Sequence, residues 1–132
     1  MARGKKNAQP AVPVRSGTVS GFRDAYKKAV TELLILRLLR DRDMYAYEMQ
    51  QEIERRSDGA LSFNTLYLAI YRLKDLGFIE EQRRELVDGR ERNYFGVTER
   101  GQRRFTELSE EYRRLSAAME AMLPETPGED KE

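Results

Sequence analysis

The chain contains no cysteine and no histidine. Without cysteine there are no disulfides, no thiolate nucleophile and no thiol redox sensor, a composition compatible with a reducing, cytoplasmic setting. Without histidine the commonest general base and the commonest transition-metal ligand are both missing. Tryptophan is missing too, so no indole can stack on a flat ligand. Apolar runs are short: the longest, Leu33 to Leu36, is far below the roughly 20 residues that span a bilayer. The basic N-terminus leads into no apolar stretch of signal-peptide length, so the expectation is a cytoplasmic protein without a membrane partner. There is no internal repeat and no phosphate-cradling glycine loop. Glu80 and Glu81 are adjacent carboxylates, but neighbours on a strand face opposite ways and do not converge on one bond. No serine sits in a nucleophile elbow and no acids have metal spacing, so neither catalysis nor a metal or cofactor is expected.

Charge is abundant and nearly balanced, with 24 basic and 23 acidic residues and a net charge of +1. The balance is uneven along the chain. Residues 1–20 hold Arg3, Lys5, Lys6 and Arg15, two prolines and no acid, whereas residues 124–132, PETPGEDKE, hold four acids and one lysine. Neither end has much to bury, and both are expected to be disordered tails. The stretch between them suits one domain with a modest core. It divides at about residue 98 into a main part, 21–97, and a C-terminal helix, 98–123.

The most informative stretch is 62–101. Leu66, Ala69, Ile70, Leu73 and Leu76 recur at helical spacing, with Ser62 as the expected cap and Gly77 as the stop. Phe78 and Ile79 open a strand. Val87-Asp88-Gly89-Arg90 is a tight hairpin turn, because Asp-Gly tolerates positive φ, and Arg92, Tyr94 and Val97 lie in the returning strand. Upstream, Phe22, Tyr26, Ala29, Val30, Leu33, Leu34 and Leu38 form the apolar face of a first helix. Asp41-Arg42-Asp43 is a polar break. Tyr45 to Arg56 is a second helix with Tyr45, Met49 and Ile53 on one side, ended by Ser57-Asp58-Gly59. Leu61 would staple the start of the third helix. Two helices across a short turn, then a hairpin, predict a mainly α winged helix-turn-helix.

Downstream, Thr98 can cap a helix beginning at Glu99. Phe105, Leu108, Tyr112, Leu115, Met119 and Met122 follow at spacings of 3, 4, 3, 4 and 3. That is a heptad seam on an otherwise polar helix. A lone domain can fold such a stripe onto itself, but one this narrow more often meets another helix. The expected dimer interface is therefore this seam together with Phe22 and Tyr26.

These residues resemble the PadR-like family of transcriptional regulators over roughly 30–123. The resemblance is carried by Tyr45-Ala-Tyr-Glu48, Leu61-Ser-Phe-Asn-Thr-Leu-Tyr67, Tyr71-Arg-Leu73, Leu76-Gly-Phe-Ile79, Gly89-Arg90, Tyr94 and Val97-Thr-Glu-Arg-Gly101. Together they are specific; singly each is weak. The resemblance implies a winged helix that binds double-stranded DNA, a C-terminal helix pairing two subunits, more often repression than activation, and in some relatives a small aromatic effector at the dimer interface. Here Tyr26, Tyr112, Phe22 and Phe105 would line such a pocket, though they are more simply core. Ala46 stands where the family usually has glycine. Phe63, Asn64 and Leu68 replace its proline, glycine and proline, which bears on how the third helix starts and which bases it prefers.

With Leu66, Ile70 and Leu73 inward, the outer side of the third helix carries Asn64, Leu68 and Tyr71. Thr65 and Arg72 lie on one flank, Tyr67 and Lys74 on the other. Asn can bond adenine, an apolar group can meet a thymine methyl, and Thr and Tyr can donate to phosphates. The plainer reading is a solvated face with two tyrosines packed on neighbours; Tyr71 in particular suits packing over the core. On the wing, Arg90 at the tip and Arg92 are the expected DNA contacts, while Arg83 and Arg84 face opposite ways. Acids Glu85, Asp88 and Glu91 dilute this cluster to a net +1 over residues 82–92. The alternative function is a winged helix that binds protein instead of DNA.

Overall fold

The computed structural model describes residues 17–125. The expected tails lie largely outside them, at 1–16 and 126–132. Four helices and one hairpin follow in the order α1 (Val19–Leu39), α2 (Ala46–Arg56), α3 (Tyr67–Asp75), β1 (Ile79–Val87), β2 (Arg90–Val97) and α4 (Glu99–Met122). By its internal contacts the chain divides into two units, Met1–Val30 and Thr31–Glu132.

In the first unit, α1 starts inside the expected tail. Thr18 supplies the cap: its hydroxyl accepts from the Gly21 N–H at 2.9 Å. Phe22 is 72% exposed, and Tyr26 and Val19 are exposed as well.

In the second unit, α1 continues with an inner face that keeps Leu38 and, at its edge, Leu34 from the one expected and adds Ile35, Leu36 and Leu39. Ile35, Leu36, Leu38 and Leu39 are buried, while Leu33 and Leu34 are only partly covered. The run is apolar all round, so spacing alone could not choose its inward stripe. The core joins these to Met44, Ala46, Met49, Ile53, Leu66, Ile70, Leu73, Phe78, Ile79 and Phe95. Leu76, expected on the inner face of α3, is exposed at its C-cap. Glycine ends this helix as anticipated. Gly77 has φ +83°, its N–H donates to Lys74 and the Phe78 N–H donates to Leu73 at 2.9 Å, the paired bonds of a Schellman stop.

The third helix begins later than the sequence suggested. Its N-cap is Leu66, with no side-chain cap bond, and Ser62 caps nothing. The link from α2 is therefore residues 57–66, not a short turn. Among the bonds that hold it, the Gln50 side chain donates to the Phe63 carbonyl at 2.7 Å, and the Ser57 hydroxyl accepts from the Leu61 N–H at 3.0 Å. Phe63 and Leu61 pack against the core, so the chain runs extended across it before turning into the helix.

The hairpin is antiparallel with Val87 opposite Arg90, and a bulge at Gln82 shifts the register between Glu81 and Arg83. Asp88 and Gly89 both have positive φ, +51° and +76°, the conformation a two-residue hairpin turn requires. Just after the polar break Met44 forms an isolated bridge with Phe95, the two exchanging backbone bonds at 3.1 and 2.9 Å. The hairpin is thus tied to the start of α2. Thr98 caps α4, accepting from Gly101 N–H at 3.0 Å, and its hydroxyl donates to the Gly77 carbonyl at 2.7 Å.

Candidate nucleic-acid interface

The outer side of α3 is open. Asn64, Thr65, Tyr67, Leu68, Tyr71, Arg72 and Lys74 are all exposed. Leu68 is 81% exposed, more than any other large apolar residue among those described. Tyr71 does not fold over the core. It is 49% exposed and stacks on Tyr67 with ring centroids 5.9 Å apart. Asn64 and Thr65 precede the helix rather than opening its first turn, and Thr65 accepts from the Tyr67 N–H at 3.3 Å. They sit in the loop that delivers the helix N-terminus, the end a groove-reading helix presents to base edges. Asp75, which sequence reasoning passed over, lies exposed at the other end, and there it would repel phosphate.

The wing separates into engaged and free cations. Arg83 pairs with Glu85 at 3.1 Å and lies over the Tyr94 ring at 3.8 Å. Arg84 pairs with Glu81 at 3.0 Å and lies 3.6 Å from Glu91. These partners raise both guanidinium pKa values and lower that of Glu81. Arg90 at the tip has no ion pair among the described residues. Arg92, half-buried, lies over the Tyr45 ring at 4.7 Å, and Tyr45 meets Tyr94 edge to face at 5.2 Å. Arg72 turns partly away from the reading face, 3.6 Å from Glu32.

Between wing and helices runs an open-sided cleft of about 260 Å³. It is lined by Tyr45, Tyr47, Tyr67, Arg90, Arg92 and Asn93, among others. Asn93 was not picked out from sequence, and Tyr47 stood there only within the Tyr45-Ala-Tyr-Glu48 motif, with no binding role assigned to it.

The C-terminal seam divides into two parts. Phe105 and Leu108 pack against the core of their own chain, with Arg40 over the Phe105 ring at 4.7 Å. Tyr112, Leu115, Met119 and Met122 are exposed along the same helix. Among the described residues no helix is long and apolar enough to cross a membrane.

Two helices across a link, a β-wing tied to the second helix, and a long helix after the wing define a winged helix-turn-helix protein. The transcriptional regulator PadR-like family model matches residues 35–107. An uncharacterised protein of Lysinibacillus sphaericus is 30% identical over 112 residues, 83% of this chain and 95% of that one. The chain belongs to the PadR-like family of transcriptional regulators. Among solved structures, a PadR family transcription regulator from Clostridium difficile matches with TM-score 0.60 at 27% identity, over 71% of this chain and 98% of its own. A PadR family transcriptional regulator from Eggerthella lenta matches with TM-score 0.68 at 22% identity, over 82% of this chain and 94% of its own. At that identity the second likeness speaks for the fold.

Proposed function

We propose that the protein is a sequence-specific DNA-binding transcriptional repressor that works as a homodimer. The observation that carries this reading is the outer face of α3. Leu68 and the Tyr67–Tyr71 stack stand exposed beside Asn64, Thr65 and Lys74, and the unpaired Arg90 stands at the wing tip. In this reading Asn64, Thr65 and Leu68 meet base edges, Tyr67, Tyr71, Arg72 and Lys74 reach flanking phosphates, and Arg90 and Arg92 hold the backbone beside the wing. The exposed stripe of α4 pairs with the same stripe of a second copy, with Phe22 and Tyr26 as further apolar contacts. Two reading heads then meet half-sites about 34 Å apart along one DNA face. A small aromatic effector at the dimer interface would act by shifting the population between two spacings of the heads.

A second reading, a protein-binding winged helix, has one observation in its favour. With Arg83 and Arg84 engaged by acids, the wing offers little positive potential. Selection of binding sites from random duplexes, with sedimentation of the complex, separates the two. A recovered palindromic site bound by two chains supports the first reading. Binding of no duplex favours the second.

A further inference from the structure

The cleft between wing and helices has the chemistry of an anion site, not of an organic ligand pocket. Its volume of about 260 Å³ falls below the roughly 300–1,000 Å³ that drug-sized molecules need for enclosure. Two guanidinium groups, Arg90 and Arg92, line it against one acid, Glu91, and the Glu91 carboxylate lies 3.6 Å from Arg84 outside the cleft. The Arg92 guanidinium lies over the Tyr45 ring, 4.7 Å from its centroid, and a guanidinium so placed can offer its planar fork to a bidentate acceptor. Tyr47 and Tyr67, both exposed, add hydroxyl groups to the lining. Asn93 adds an amide whose buried Oδ1 has no hydrogen-bond partner. No side chain caps the first N–H groups of α2 beside it, and the first-turn acid Glu48 is taken by Arg42 at 2.6 Å.

We propose that this cleft seats one phosphodiester of the bound DNA per subunit, with Arg92 and Tyr47 as its holders, as a fixed point between the reading helix and the wing. This rests on the DNA-binding reading above. The two wing cations then have different roles. Arg90 reaches outward from the tip, while Arg92 binds a phosphate whose place is set by the Tyr45 ring beneath it. A phosphate held there carries no base identity and adds affinity without adding sequence choice.

The test uses the full chain and the duplex recovered by selection. Arg92→Met keeps an apolar stem over Tyr45 and removes the charge. It should weaken specific and random duplexes by the same factor, lower the salt slope of log K by about 0.9 per subunit, and leave base preference unaltered. Tyr47→Phe removes one hydroxyl from an exposed ring, so folding is not at issue, and should cost several-fold in affinity. Methylphosphonate placed at each backbone position in turn should reveal one phosphate per half-site whose neutralisation weakens the wild type and not Arg92→Met. If both variants melt as wild type and keep its slope and affinity, or no such phosphate exists, the proposal is overturned while DNA binding stands. Inorganic phosphate that binds as tightly as the duplex would make the cleft a free-anion site and overturn it too. A wild type that binds no duplex overturns both readings.

Discussion

Leu68 is where the reading surface is most economically tested. An 81% exposed leucine contributes little to folding, so its truncation should leave melting unchanged and be visible only in binding. Leu68→Ala and Asn64→Ala should each relax preference at a base pair of the half-site, by about 1–3 kcal/mol per lost base contact. Arg90→Ala should weaken all duplexes more evenly and lower the salt slope by about 0.9. Binding-site selection on each variant, with melting alongside, checks this; folded variants with wild-type preference would remove α3 as the reader. A second residue-scale prediction concerns acid. Arg55 and Arg56 both donate to Glu52, at 2.8 and 3.0 Å. These bonds hold its carboxyl down from 4.5 to about 2. The folded value lies below the unfolded one, so the pairing contributes stability above pH 4.5 and loses it as pH falls towards 2. Tm of the wild type should therefore fall more steeply across that window than Tm of Glu52→Gln. The group is at the surface and the difference will be small, so equal slopes in repeated scans would be the contrary result.

At the scale of elements, the joint between α3, β1 and α4 is closely packed. Thr98 ties the start of α4 to the Gly77 carbonyl at 2.7 Å, and Arg100 and Arg104 lie over the Phe78 ring at 5.0 and 5.2 Å. A Cβ on Gly101 would collide with the Phe78 carbonyl oxygen, which is backbone and cannot swing aside. Gly101→Ala should cost about 3 kcal/mol, a fall in Tm on the order of 10 °C. The comparison is Gly89→Ala at the wing tip. There nothing lies within 4 Å and only the positive φ matters, at about 1 kcal/mol. Similar melting of the two variants would mean that α4 is not held rigidly to the reading helix.

At the scale of the whole molecule, the exposed half of the α4 stripe calls for a partner. Leu115 is 49% exposed, with Tyr112, Met119 and Met122 along the same face. A charge at a seam position is either buried unpaired, at a cost of several kcal/mol, or holds the helices apart. Leu115→Arg should sediment as a monomer and lose most specific DNA binding while melting as a folded chain, because the residue does not contribute to its own core. A dimer that survives the change would remove the stripe from the interface. The near-zero net charge fits a protein whose affinity depends on a few placed cations and two heads rather than on bulk attraction.

What the sequence determined by itself is what short-range physics decides. The Asp88-Gly89 turn, the Gly77 stop, the Thr98 cap and the outward set on α3 each depend on a few neighbouring residues, through φ preference, backbone bonds or helical period. Tertiary structure decided the rest. Ser62 looked like a cap, but the packing of Phe63 and the bond from Gln50 to its carbonyl carry the chain past it, so α3 starts at Tyr67. The all-round apolar run of α1 has no preferred side until α2, α3 and the hairpin cover Ile35, Leu36 and Leu39. The seam of α4 reads as uniform, yet its first two members are claimed by their own core because the Thr98 joint lays that end of the helix against it. Tyr47, Arg92 and Asn93 share a cleft where the Met44–Phe95 bridge joins the wing to the start of α2, a contact between residues 51 positions apart that no local pattern encodes.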